Sequence, residues 1–136
     1  MKLKKKYEEE QNFNYDLVFL TRLDWAFLKP LVLTEKMKNK FTLSNHNDVP
    51  SPRNNYEAKV VKKNLTQEKG FADYWFIGNS KDLDKFSDLY DKKYFYPISP
   101  HFASMQHAKY LKLNVEFLGW RGEDHEMMRR LKKSYE

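Results

Sequence analysis

The sequence predicts one α/β (or α+β) domain, a small mixed sheet with helices packed on it. Three observations carry this. The length of 136 residues is that of one ordinary domain. Short apolar runs at 16–21 and 71–78 have strand character. Two later segments pair a helix-start signal with an apolar stripe at helical spacing.

Taken in order, residues 1–14 are charged and polar and are expected to form a solvated arm or a short helix. Lys4-Lys5-Lys6 precedes Glu8-Glu9-Glu10, the weaker order for i,i+4 pairing along a helix dipole. The domain proper is expected over 15–136. Asp16-Leu17-Val18-Phe19-Leu20-Thr21 is continuous rather than alternating and reads as a central strand buried on both faces. Trp25-Ala26-Phe27-Leu28 continues past it until Pro30 stops regular structure. Lys40 to Ser44 alternates as a strand does. Asn45 to Asn55 is a loop by its asparagines and prolines.

Phe71 to Gly78 forms a second, aromatic strand interrupted by Asp73. Ser80 is expected to cap a helix over 81–91 whose inward face is Leu83, Phe86 and Leu89-Tyr90. Ser99-Pro100 starts the next helix, striped by Phe102, Met105, Ala108 and Leu111. Val115 to Leu118 is a short strand, and Glu123 to Lys133 is acidic at its start and basic at its end, as a final helix would be.

Composition excludes several classes of function. With no cysteine there is no disulfide scaffold, Cys-type zinc site or thiol nucleophile. No apolar run approaches the about 18 residues that span a bilayer. The basic start, Met1 to Lys6, has no apolar stretch behind it and is not a signal peptide, so a cytoplasmic protein is expected. The net charge of +6 favours an anionic partner, although acids and bases are interspersed. No P-loop, glycine-rich fingerprint or Ser-His-Asp order is present.

The residues that could carry chemistry begin with Asp24, just past the first strand, where open α/β sheets bind ligands. A carboxylate there can hold a divalent cation that in turn holds phosphate. Arg22 can fork onto phosphate, or onto Asp24 as a plain surface ion pair. Asp73, set in an apolar strand, needs a partner, an edge position or a role. His46, His101, His107 and His125 stand singly, and His101 and His107 are not at metal-pair spacing. Trp25, Trp75 and Trp120 are core or pocket wall.

Tyr15-Asp16-Leu17-Val18-Phe19-Leu20-Thr21-Arg22-Leu23-Asp24 resembles the strand that runs into the active site of GT-A-type glycosyltransferases of bacterial and viral capsule and lipopolysaccharide pathways. Ala72-Asp73-Tyr74-Trp75-Phe76-Ile77-Gly78-Asn79-Ser80, then Asp84-Lys85-Phe86 and Leu89-Tyr90, is similar to a later stretch of that family, and the resemblance spans about 14–118. It implies a sugar-nucleotide donor, a glycan acceptor and a divalent cation, manganese or magnesium. The family's Asp-x-Asp corresponds here to Arg22-Leu23-Asp24, so only the last acid is kept. Asp24 would be the metal ligand, or the site would be metal-free; Arg22, Asp24 and Trp25 would contact the nucleotide sugar, and Asp73 would act as general base. His101 or His107 would be a late metal or phosphate ligand. The resemblance covers the later half of such a fold, so the expectation is either a truncated domain inactive alone or a homo-oligomer or partner chain that supplies the other half.

Two other readings stand beside it. Lys62-Lys63 and Arg129-Arg130-Leu131-Lys132-Lys133 suit a basic nucleic-acid-binding or phage-type accessory protein. An exposed sheet edge would suit a non-catalytic assembly module.

Overall fold

The computed structural model describes residues 1–45, 70–89, 91–92, 99–119 and 123–128. Among these, helix α1 (Lys2–Gln11) is followed by strands β1 (Val18–Thr21) and β2 (Trp25–Phe27). A 3-10 turn (Glu35–Asn39) leads into β3 (Phe41–Leu43), and β4 is Trp75–Gly78. Helices α2 (Ser80–Ser87) and α3 (Pro100–Tyr110) and strands β5 (Val115–Phe117) and β6 (His125–Met127) complete the order. His46, Lys62-Lys63, Trp120, Arg129 to Lys133 and all but the first residue of the expected 45–55 loop lie outside the described residues.

The main sheet has the order β1-β4-β3-β5, and β2 and β6 form a separate two-stranded ribbon. β4 is antiparallel to both β1 and β3, whereas β3 and β5 run parallel. The architecture is therefore mixed, of the α+β kind. Among the described residues no helix is long and apolar enough to cross a membrane.

Alternation along the strands makes two cores. Phe76 on β4 and Phe41 and Leu43 on β3 face α2 and α3, where Leu83, Phe86, Met105 and Ala108 close the first core. Trp75 and Ile77 point the other way and meet Trp25, Ala72 and Tyr74 in the second. Each fully buried Phe, Leu or Ile contributes roughly 1.5–3 kcal/mol. Of the expected stripes, Leu83, Phe86, Met105 and Ala108 enter the first core with Leu89, Phe102 and Leu111 at its margin; α2 ends at Ser87 rather than 91, and Tyr90 lies outside the described residues.

Several expectations are corrected. β1 is not central: within the described sheet it is an outer strand, and Phe19 and Leu20 are about 40% exposed. The strands buried throughout are β3 and β4, each with a neighbour on either side. The strand expected from Phe71 starts only at Trp75, so Asp73 precedes it and its carboxylate stays about 40% exposed. The cap of α2 is Asn79, whose side-chain oxygen accepts from the Asp82 backbone N–H at 2.8 Å. Residues 125–127 are strand rather than helix, because pairing with β2 overrides their helical charge pattern.

The N-terminal segment is also more than a solvated arm. Asn12, in the left-handed conformation, ends α1, and most of its side chains face water. Lys4 and Glu8 do not: Lys4 bonds Glu8, the Ser80 hydroxyl and Asp84, while Glu8 accepts the Tyr15 backbone N–H at 2.9 Å. Burial works to lower the Lys4 pKa, but the bonds to Glu8 and Asp84 outweigh it and hold it above its ordinary value. Hydrogen bonds from Lys4 and Ser80 pull the Glu8 carboxyl from its ordinary 4.5 down to about 2. A depressed carboxyl pKa stabilises the fold above the ordinary value, and the stabilisation is lost as pH falls through the folded one. The Tyr15 amide proton should accordingly shift with a midpoint near pH 2, and the shift should vanish in Glu8→Gln. A midpoint at 4.5 would show that α1 is not docked through this group.

Candidate functional site

The site follows from the pairing of β1 with β4. Thr21 lies opposite Trp75, and the ladder runs one residue further, with the Arg22 N–H donating to the Tyr74 carbonyl at 3.2 Å. In an antiparallel pair the residues leaving one strand lie beside those entering the other. Arg22-Leu23-Asp24 is thereby set beside Asp73, far away in sequence.

The Arg22 guanidinium forks onto Asp24, Nε to Oδ1 and an Nη to Oδ2, each at 2.9 Å. Its other Nη stands 3.8 Å from Asp73 Oδ2. All three side chains are about 40% exposed. The hydrogen bonds to Asp24, opposed by desolvation and helped by the charges of Asp24 and Asp73, raise the Arg22 pKa. Exposed pairs of this kind are worth roughly 0–1 kcal/mol, so water or a ligand can replace them cheaply. A guanidinium fork fits phosphate as well as carboxylate, and carboxylates accept hydroxyl protons.

Trp25 does not offer an open platform to a nucleotide. It is 7% exposed, and its ring stacks on Tyr74 at 3.9 Å and 11°. It belongs to the second core.

The suggested metal ligands do not gather. His101 starts α3, and its Nδ1–H donates to the Phe71 carbonyl at 2.6 Å. His107 is fully buried against Phe86 and donates from Nε2 to the Lys85 carbonyl at 3.3 Å. Burial lowers its pKa, with partial compensation from that carbonyl. Among the described residues no group of three His, Asp or Glu side chains could hold a metal ion. Asp24 and Asp73 have the hard oxygen donors that magnesium or manganese prefers. Both are turned to Arg22, and among the described residues no third His, Asp or Glu side chain joins them.

One pair escaped the sequence reading. Ser44 Oγ lies 2.8 Å from His125 Nε2, and both residues are fully buried. Ser44 also donates to the Asn45 carbonyl at 2.9 Å. A hydroxyl has one proton, so both contacts are met when Nε2 carries the hydrogen and donates to Oγ. Ser44 then orients the imidazole and is not an activated nucleophile. No sequence signal marks this pair, because its partners are 81 positions apart.

No protein-family model matches the chain, no curated protein is significantly similar to it, and no solved structure matches it significantly.

Proposed function

We propose that the chain is a glycosyltransferase-like domain, with GT-A ancestry, that holds the diphosphate of a sugar nucleotide at the C-terminal end of β1. The observation that supports this is the meeting of Arg22, Asp24 and Asp73 at one strand end. Arg22 turns from its two carboxylates to the phosphate oxygens at a cost of at most about 1 kcal/mol. Asp24, released, accepts hydroxyls of the donor. Asp73 takes the proton of the attacking acceptor hydroxyl while the electron pair of the broken sugar–phosphate bond leaves with the nucleoside diphosphate. The charge of the diphosphate is assigned to Arg22, whose guanidinium fork fits phosphate oxygens, and a divalent cation on Asp24 would share that charge.

Calorimetric titration with a panel of nucleoside-diphosphate sugars, with and without manganese, tests this. Wild type should bind at least one of them. Arg22→Ala should bind about 10- to 100-fold more weakly, the worth of charge-assisted hydrogen bonds. Asp73→Asn should keep binding and lose transfer. No binding by wild type, or equal binding by Asp24→Ala, would overturn the reading.

A further inference from the structure

We propose that the cavity bounded by Phe27 on β2, Trp75 on β4 and His125 on β6 binds a small, flat, uncharged ring compound. The cavity has a volume of about 270 Å³. Pockets for drug-sized ligands run to roughly 300–1,000 Å³, so this one takes one or two rings and excludes a polymer segment. Its walls are mainly apolar and partly aromatic, with Pro30, Leu31 and Leu118 beside Phe27 and Trp75.

Among the described lining residues the oppositely charged pair is Lys29 and Asp124, and they bond each other at 2.8 Å. The backbone N–H groups of Leu28 and Lys29 also donate to the Asp124 carbonyl, at 2.8 and 3.3 Å, which fixes the strap that carries Lys29. These two charges satisfy each other, so neither is offered to a charged guest, which would lose hydration on entering the mainly apolar walls.

The cavity is also built in advance. His125 is held by Ser44 on one side and by the rings of Trp25, Phe27 and Trp75 around it. Gly119 (φ +76°) lets the backbone approach this ring, since a Cβ there would come within 3.3 Å of His125 Cδ2. A preformed wall spares a ligand the cost of ordering it.

The inference stands apart from the sugar-nucleotide reading, and either can fail alone. Its test is titration of the full chain with indole and, separately, with benzoate, following the Trp75 indole N–H resonance by NMR. Indole should shift that resonance saturably and one-to-one, and benzoate should bind about tenfold more weakly or less. Val32→Trp, at a rim position 69% exposed where a large ring does not disturb the core, should abolish the indole shift. No saturable shift in wild type, the same shift in Val32→Trp, or benzoate binding as tightly as indole would overturn the proposal.

Discussion

Gly70→Ala is expected to destabilise the fold by about 3–5 kcal/mol, near the upper end for a single substitution. Gly70 has φ +77°, where an L side chain is strained. Its Cβ would stand 2.4 Å from the His101 carbonyl carbon, 2.6 Å from the carbonyl oxygen and 2.7 Å from the Phe102 nitrogen. These are backbone atoms in the first turn of α3 and cannot rotate away. Two bonds clamp the same approach: the Phe71 N–H donates to the His101 carbonyl at 2.9 Å, and His101 Nδ1–H returns to the Phe71 carbonyl at 2.6 Å. Relief would require moving α3, which carries Met105 and Ala108 into the first core. Thermal unfolding should show a loss of about 10–15 °C. Gly78→Ala is the control, since its Cβ would meet nothing nearer than 3.4 Å and its φ is ordinary. It should change stability by less than about 1 kcal/mol. Equal losses in the two variants would mean that the approach of residue 70 to α3 does not persist in solution.

What the sequence disclosed divides along the range of the interactions. Pro100 and the Phe102–Met105–Ala108–Leu111 stripe are local signals, and α3 starts and faces as they predict. The short strand at Val115 is legible for the same reason. The place of a strand in its sheet is not local. The run at Val18–Thr21 is apolar on both faces, yet it has one neighbour in the described sheet, and the apolar run does not encode how many it will have. β6 illustrates the same point: its charge pattern suits a helix, and only the distant Trp25–Phe27 segment makes it a strand. The candidate site splits likewise. Arg22 and Asp24 are two residues apart and their pairing could be read directly. The nearness of Asp73 depends on the β1–β4 register, and that of Ser44 and His125 on how the ribbon meets the sheet.

The second large effect is expected at Trp75. Its side chain is 1% exposed, with ring centroids of Phe19, Phe27 and His125 at 6.0–6.2 Å. Truncation to alanine removes a buried ring that joins the main sheet to the β2–β6 ribbon and leaves a void beside an existing cavity. The expected cost is about 3–5 kcal/mol. Trp75→Phe should behave differently. The indole Nε1–H is buried and meets no acceptor among the described residues. Phenylalanine gives up some contact area, but it also removes a donor whose desolvation costs about 1–3 kcal/mol. The two effects oppose each other, so Trp75→Phe should lie within about 1 kcal/mol of wild type. Urea unfolding of both variants separates the contributions, with the difference between them reporting the packing of the ring. Should phenylalanine cost as much as alanine, the indole N–H must bond in solution, and the second core is held by a hydrogen bond as well as by its rings.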